Sequence, residues 1–321
     1  MNGALPNLML FAGNAHRDLG QRIAEYLGVS LGRMVSTRFS DGEIRLMVEE
    51  SARGTDVFIL QPTCAPVNDS LVELLIMLDA FRRASAKRLT VVMPYYGYAR
   101  QDKKVKPREP IAARLVADLV QTAGANRVVT VDLHADQIQG FFSIPVDHLY
   151  GGPILGWYLV EQGYRDDPDV VVVSPDVGGV GRARSLAEML NAPIAIIAKR
   201  RPEPNQVNIM EVIGDIEGKR CVMIDDMIDT GGSIVRGAEE LKSRGAKEVV
   251  ACCTHAVLSG VAAQRLQDSV ISRVVAMDTV PLPDEKRVPK MTCLPIAPLL
   301  GEAIRRIHQD ESVSSLFDDW K

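Results

Sequence analysis

Residues 221–233 read CVMIDDMIDTGGS, and they show the local pattern from which the fold is predicted. The apolar run CVMI is typical of a strand, and a helical pattern, IVRGAEELKSRG, follows directly after this stretch. Similar runs, among them RVVTVDLHA, DVVVVSPD and APIAIIAK, alternate with helical patterns along the whole chain. Near-continuous Val and Ile runs predict strands that are buried on both faces. We therefore expect an α/β protein with mainly parallel sheets flanked by helices.

One crossover helix is predicted in residues 68–86, NDSLVELLIMLDAFRRASA. Its large apolar side chains recur at helical spacing, so they should share one buried face. Either Asn68 or Asp69 is a suitable N-cap. The residues expected on the buried face are Leu71, Leu74, Leu75, Leu78 and Phe81.

An internal repeat suggests how the domains are organised. Residues 117–135, ADLVQTAGANRVVTVDLHA, align without a gap with residues 238–256, AEELKSRGAKEVVACCTHA, 121 positions further on. A duplicated helix–strand unit explains this likeness, with chance similarity between two αβ units as the alternative. Glycines and a proline interrupt the pattern at 150–153. We predict domains at residues 1–150 and 151–300, followed by a helix and tail at 301–321 that either domain can accommodate.

Composition restricts the function classes. The chain has 321 residues, a net charge of −4, 46% hydrophobic residues and 24% charged residues, which is typical of a soluble globular protein. A general nucleic-acid binder would normally carry a basic surface. The five cysteines form no CxxC pair, and no apolar stretch approaches the roughly 20 residues that span a bilayer. We expect a cytoplasmic protein that acts on small molecules and binds neither nucleic acid nor membrane.

The stretch DDMIDTGGS combines features that suit two parts of one ligand. Gly231 and Gly232 permit a tight turn, where Thr230, Ser233 and the first helical N–H groups can converge on an anion. Asp225 and Asp226 lie on the strand side of this turn. A ligand about one sugar long would place its phosphate on the glycines and its hydroxyls, or a bound metal, at the carboxylates. The alternative is that the aspartates only cap the turn.

A second glycine-rich turn and two other polar segments are further candidates. SPDVGGVGRA, which contains Asp176, repeats the strand–turn–helix pattern, and His134 follows a predicted strand. The basic run at 199–201 follows another strand, and a flap of this kind could neutralise charge during phosphoryl transfer. Each also has a structural or solvated explanation. The stretches TRFSDGEIR (37–45) and PYYGYARQDKK (94–104) have the mixture of polar, aromatic and charged residues that can contact a purine.

Taken together, RFSDGE, PYYGYARQD, VDLHADQIQGFF, SPDVGGVGRA, AKRR, DDMIDTGGS and the tail SVSSLF resemble the ribose-phosphate pyrophosphokinase (phosphoribosyl pyrophosphate synthetase) family over nearly the whole chain. The resemblance implies two tandem phosphoribosyltransferase-like domains, the first for ATP and assembly and the second for ribose 5-phosphate. It also implies Mg²⁺ as cofactor and a homo-oligomer, a hexamer. The implied reaction transfers the diphosphoryl group of MgATP to O1 of ribose 5-phosphate and yields phosphoribosyl diphosphate and AMP.

The resemblance assigns roles to individual residues. Lys199 and Arg201 would stabilise the transferring group, and His134 and Asp176 would hold or orient Mg²⁺. The residues implied for ATP are Phe39, Asp41, Gly42 and Glu43, which the resemblance assigns to the site of a neighbouring subunit, together with Arg100 and Gln101. Those implied for ribose 5-phosphate are Arg201, Asp225, Asp226, Asp229, Thr230, Gly231, Gly232 and Ser233. Two other functions stay open: a phosphoribosyltransferase, which would share the 225–233 loop, and a non-catalytic regulatory homologue.

Overall fold

The structure, a computed structural model, describes residues 5–200 and 209–317, and for residues 199, 200 and 209 it describes the backbone only. Within this part, the chain folds as two compact units, each built on its own parallel sheet. The strands are β1 (Leu8–Ala12), β2 (Met34–Arg38), β3 (Ile44–Val48), β4 (Asp56–Leu60), β5 (Arg88–Met93), β6 (Arg127–Val131), β7 (Val146–Leu149), β8 (Val170–Ser174), β9 (Ile194–Arg200), β10 (Ile209–Ile213), β11 (Arg220–Ile228), β12 (Glu248–Ala256), β13 (Arg273–Met277) and β14 (Met291–Leu294). The α-helices are α1 (Arg17–Leu27), α2 (Val67–Arg83), α3 (Ala112–Ala123), α4 (Gly152–Glu161), α5 (Val180–Leu190), α6 (Gly232–Ser243), α7 (Ala262–Asp268) and α8 (Ala297–His308).

The first unit contains the described chain up to Leu149, together with Thr279–Pro281 and Ile296–Leu316. Its sheet has the order β1-β4-β5-β6-β7, with every pair parallel. Val57 and Ile59 pack in one core with residues of α2 and α3. On the other face, a Cβ built on Gly20 of α1 would lie 3.5 Å from Leu60, so α1 packs closely there. The strands are buried on both faces because helices cover both.

The second unit contains Tyr150–Asp278 and Leu282–Pro295, with Phe317. Its sheet has the order β10-β9-β8-β11-β12-β13-β14, and only β10 runs antiparallel to its neighbour. Val171, Met223 and Val249 share one core with Ala238 and Leu241 of α6. The predicted α/β class with mainly parallel sheets flanked by helices is confirmed.

The internal repeat corresponds to equivalent elements in the two units. Each copy forms a helix followed by a strand, α3–β6 in the first unit and α6–β12 in the second. Strand β6 starts at Arg127 and β12 at Glu248, which is the separation seen in the sequence. Both strands have a neighbour on each side in their sheets, and both pair in parallel with the strand that follows them.

Several local predictions differ from the structure. Helix α2 begins at Val67, directly after Pro66, so neither Asn68 nor Asp69 caps it. The predicted boundary at residue 300 falls inside α8, which starts at Ala297 and belongs to the first unit. The β2–β3 hairpin and the strands β7, β10 and β14 were not predicted from the sequence. None of the helices in the described ranges combines the length and apolarity needed to cross a membrane.

Candidate functional site

Strand β11 carries the paired carboxylates and extends further than its neighbour β8. It pairs with β8 only as far as Met223, opposite Val173, but with β12 as far as Ile228. The sequence predicted that Asp225 and Asp226 lie on the strand side of the turn. The structure places both inside β11, which continues to Ile228 because pairing with β12 extends beyond the end of β8.

The two central strands of this sheet, β8 and β11, mark a reversal of strand order. From β8 the chain continues to β9 on one side, and from β11 it continues to β12 on the other. In open α/β sheets, ligands bind at such a switch point, outside the carboxyl ends of the strands. The turns after β8 and β11 therefore flank the place where a ligand is expected.

The turn after β11 has the geometry of an anion-binding helix start. Gly231 adopts a left-handed conformation, with φ of 73°, and helix α6 begins at Gly232. Thr230 and Ser233 are exposed on either side of the glycines. The first N–H groups of α6 have no acceptor within the helix, and they carry the positive end of its dipole. These features suit a phosphate group.

Two arginines that the sequence analysis missed lie beside this turn. Arg265, on α7, donates a hydrogen bond through Nη1 to the carbonyl oxygen of Thr230. A Cβ built on Gly232 would lie 3.4 Å from Nη1 of Arg236 and 3.5 Å from Nη1 of Arg265. Glycine at position 232 thus leaves room for both guanidinium groups, which make the turn more attractive to an anion.

The carboxylate pair is electrostatically unusual. The N–H of Asp226 donates to Oδ1 of Asp225 at 2.9 Å. Burial, followed by the side-chain hydrogen bond and charge of Asp226, raises the pKa of Asp225 to about 8, although Arg182 and the backbone N–H of Asp226 act in the opposite direction. Nη1 of Arg182 lies 3.7 Å from Oδ1 of Asp225 and 3.9 Å from Oδ1 of Asp226. Groups with a strongly shifted pKa beside a charge partner are typical of functional sites.

The turn after β8 is held by its own side chains. Oγ of Ser174 donates to the carbonyl oxygen of Asp176 at 2.6 Å, and the N–H of Gly179 donates to Oδ1 of Asp176 at 2.9 Å. Asp176 nevertheless stays exposed. In the described part of the chain, no three His, Cys, Asp or Glu side chains converge as a metal cluster. Mg²⁺ usually takes one or two carboxylates and completes its shell with water and substrate phosphates, and Asp176 suits that role.

Phe39, Asp41, Gly42 and Glu43 form the tip of the β2–β3 hairpin. The N–H of Phe39 donates to the carbonyl oxygen of Glu43 at 2.8 Å, and Oδ1 of Asp41 accepts from the N–H of Glu43 at 3.1 Å. All four residues are exposed, and the Phe39 side chain is exposed by 52%. An aromatic ring held outward on an ordered hairpin can stack on a planar ligand.

Arg100, Gln101 and His134 follow strands of the first sheet. Arg100 and Gln101 are exposed in the loop after β5, and the carbonyl oxygen of Gln101 accepts from the N–H of Ala113 at 3.2 Å, near the start of α3. His134 is exposed after β6. The neighbouring N–H of Leu133 donates to Nε2 of the buried His148 at 2.9 Å, which fixes this loop.

The basic run is described only in part. Lys199 and Arg200 end strand β9, where the backbone of Lys199 pairs with Met210. Arg201 and the rest of the predicted flap, to residue 208, lie outside the described residues.

Of the predicted site residues, the structure brings together those of the 225–233 segment and the Asp176 turn, and Arg182 lies between them.

The fold and this site define an α/β protein that has a helix-start turn suited to an anion and a pair of carboxylates at the switch point of its second sheet. The model of the N-terminal domain of ribose phosphate pyrophosphokinase matches residues 8–124, and that of the phosphoribosyl synthetase-associated domain matches residues 200–318. The chain belongs to the ribose-phosphate pyrophosphokinase family.

Individual relatives match nearly end to end. The ribose-phosphate pyrophosphokinase of Oceanobacillus iheyensis is 58% identical over 312 residues, which covers 97% of this chain and 98% of the relative. That of Clostridium perfringens is 56% identical, with 98% of each chain covered. The crystal structure of phosphoribosylpyrophosphate synthetase from Mycobacterium smegmatis superposes with a TM-score of 0.90 at 48% identity, covering 95% of this chain and 99% of that one. The predicted family is confirmed.

Proposed function

We propose that this protein transfers the diphosphoryl group of MgATP to O1 of ribose 5-phosphate and releases phosphoribosyl diphosphate and AMP. One observation carries the proposal. At the switch point, a single strand–turn segment holds two carboxylates and an anion-binding turn a few residues apart. A pentose monophosphate has hydroxyls and a phosphate at matching ends, so it can satisfy both groups at once.

In the second unit, the sugar phosphate would lie on the turn Thr230–Ser233, with Asp229 beside it. Asp225 and Asp226 would accept hydrogen bonds from the ribose hydroxyls, because a carboxyl group keeps acceptor oxygens in either protonation state. The arginine pair beside the turn supports this orientation, since it adds positive charge at the phosphate end. This pose would leave the anomeric oxygen O1 free to react.

The nucleotide would be bound by residues of the first unit. The exposed ring of Phe39 suits stacking on adenine, and a base that stacks on an aromatic side chain gains about 1–3 kcal/mol. Asp41, Gly42 and Glu43 would complete the adenine contact, and Arg100 with Gln101 would bind the remainder of ATP. By family likeness the hairpin serves the site of a neighbouring subunit, so the protein would act as a homo-oligomer, a hexamer.

Magnesium would be held by the exposed carboxylate of Asp176. His134 would act through a water molecule, because Mg²⁺ prefers oxygen ligands and keeps much of its hydration. Bound Mg²⁺ supplies charge neutralisation for the phosphates of ATP. The residues of this chain do the rest by fixing the positions of the two substrates.

The reaction would be an in-line displacement at the β-phosphorus. O1 of the sugar forms the new P–O bond and loses its proton to solvent, while the bond to the α-phosphate oxygen breaks and AMP leaves. Lys199 and Arg201 would offset the charge that builds on the transferring group. No general base is required of any side chain, because positioning and charge stabilisation supply most of the rate. A cytoplasmic location, with neither nucleic acid nor membrane as partner, suits these substrates.

Phosphorus NMR of the purified protein tests the proposal. With Mg²⁺ and ATP, we expect AMP and phosphoribosyl diphosphate to appear only when ribose 5-phosphate is present. If phosphoribosyl diphosphate and a free base were instead converted to a nucleotide, the protein would be a phosphoribosyltransferase. Inactivity alone, with activity only after a related active subunit is added, would identify a regulatory homologue.

A further inference from the structure

Arg182 links the two turns that flank the switch point. It lies in the first turn of α5, which follows the β8 turn, and its guanidinium group reaches the carboxylates on β11. Its side chain is 20% exposed, and that of Asp226 only 6%. A cation in this place reduces the repulsion between the two neighbouring carboxylates.

The distances show how Arg182 acts on the pair. At 3.7 Å and 3.9 Å, Nη1 is within ion-pair range of both carboxylates but beyond hydrogen-bonding distance of either oxygen. The guanidinium group therefore offsets negative charge without occupying the positions where a hydroxyl group would donate.

The start of α5 is held in place by contacts of the preceding turn, so the backbone that carries Arg182 is fixed relative to β11. The Gly179 N–H is tied to Asp176 at 2.9 Å. A Cβ built on Gly179 would lie 3.0 Å from Oγ of Ser174 and 4.0 Å from Nη1 of Arg182, which shows how closely this corner is packed. Precise placement of a supporting charge requires this kind of rigid attachment.

We propose that Arg182 is a positioning residue for ribose recognition: it aligns Asp225 and Asp226 as hydrogen-bond acceptors for the sugar hydroxyls and does not itself contact the sugar. The inference rests on the proposed function, which supplies the identity of the sugar. It adds that the preference for ribose over deoxyribose depends on the guanidinium group of Arg182, which lies on α5 and not on β11, the strand whose carboxylates bind the sugar.

The test compares ribose 5-phosphate with 2-deoxyribose 5-phosphate in isothermal titration calorimetry of the full-length protein with Mg²⁺ and an inert ATP analogue. In Arg182→Gln, ribose 5-phosphate should bind on the order of tenfold more weakly, because coupled neighbours contribute about that much. The deoxy sugar lacks one of the hydroxyls that the carboxylates would bind, so its affinity should fall clearly less. Arg182→Lys, which keeps the charge, should recover part of the preference. The control is Arg184→Gln, an exposed arginine two positions further along α5, and it should behave as the wild type.

Equal weakening of both sugars in Arg182→Gln would overturn the proposal, because a general structural role would affect them alike. An unchanged preference for the ribose would also overturn it. If Arg182→Gln does not fold, Arg182→Lys decides by the same comparison, since its preference should be reduced. If the wild type itself bound no ribose 5-phosphate, the proposed function would fail instead.

Discussion

Asp225 and Asp226 are neighbours on one strand, yet both of their carboxyl groups lie within 4 Å of the same arginine nitrogen, at 3.7 Å and 3.9 Å. Successive side chains of a regular strand point to opposite faces of the sheet. The hydrogen bond from the N–H of Asp226 to Oδ1 of Asp225 turns the Asp225 carboxyl group back toward its neighbour. Two acidic groups thus share one small, largely buried space at the switch point.

This arrangement predicts how stability depends on pH. The pKa of Asp225 is about 8 in the folded protein and ordinarily 3.8, so between these values the folded state holds a proton that the unfolded chain has released. Stability is lost as the pH rises through this window. Asp225→Asn removes the charge at nearly constant size. By calorimetry without ligands, its Tm should decline less than that of the wild type from about pH 6 to about pH 9.

The exposed Asp215→Asn variant is the matched control for this measurement, and its Tm should follow the wild-type curve. Parallel curves for Asp225→Asn and the wild type would show that Asp225 releases its proton at an ordinary pH.

The phosphate turn predicts a separation of stability from binding. Gly231 and Gly218 have nearly the same left-handed backbone, with φ of 73° and 72°. Alanine at either position should lower the free energy of unfolding by about 1 kcal/mol or more, measured in urea. Only Gly231→Ala should also raise the KM for ribose 5-phosphate, because only that residue shapes the turn before α6. A similar KM increase in Gly218→Ala would mean that destabilisation alone affects sugar binding.

The β2–β3 hairpin predicts a specific defect in nucleotide binding. Phe39 at its tip and Met47 on its β3 strand are exposed to nearly the same extent, 52% and 51%. Phe39→Ala should raise the KM for ATP by on the order of tenfold through loss of stacking. Met47→Ala should leave that KM close to the wild-type value in the same steady-state assay. Equal effects of the two substitutions would argue against adenine contact at the tip.

The end of β9 predicts a loss of turnover. Removing a group that stabilises the transferring phosphoryl charge commonly lowers kcat by about 100-fold or more, so this is expected for Lys199→Ala. The affinity for ribose 5-phosphate, measured by calorimetry, should change much less. Lys247→Ala, at an exposed position before β12, serves as control. Near-normal turnover in Lys199→Ala would remove this lysine from the chemistry.

Asp56 forms an ion pair with Arg88 and also contacts His308 of α8, so its removal should lower the stability of the first unit. Asp56 is buried, accepts from Nε of Arg88 at 2.8 Å and lies 2.8 Å from Nδ1 of His308. Asp56→Ala should lower the free energy of unfolding by about 2–3 kcal/mol, because it leaves a partly buried arginine without its carboxylate. Asp79→Ala removes a carboxylate that pairs with two exposed arginines, and chemical denaturation should detect little change. Similar losses in both variants would contradict the importance of burial.

The sequence predicted the parallel sheets well, because strands such as β8, with the residues VVVVS, are buried on both faces and give continuous apolar runs. The hairpin was missed because its strands are only half buried, as in IRLMV of β3. A signal was present in the Asp41-Gly42 dipeptide between two alternating segments, which is typical of hairpins. The short strands β10 and β14 lie at sheet edges, where burial is incomplete and periodicity is weak.

The site residues that could be predicted from the sequence alone are those that lie close together along the chain. The carboxylates and the glycine turn lie within nine residues, so one local pattern shows both. Arg182 lies at the carboxylates and Arg236 and Arg265 lie at the glycine turn, and the three come from three different helices. A single arginine in an amphipathic helix has no local signature that separates it from ordinary solvated charge, so only the tertiary structure could assign these three.

Helix α8 completes the first unit, although nearly all residues of the second unit precede this helix in the chain. Helix α1 contacts α8 within the first unit, and each helix has buried leucine and isoleucine side chains: Leu19 and Ile23 in α1, and Leu300 and Ile304 in α8. During synthesis on the ribosome, α1 therefore emerges early but gains its covering helix only near the end of translation. We expect the nascent chain to carry an uncovered apolar patch on α1 for most of its elongation, which makes that helix the natural target of a co-translational chaperone.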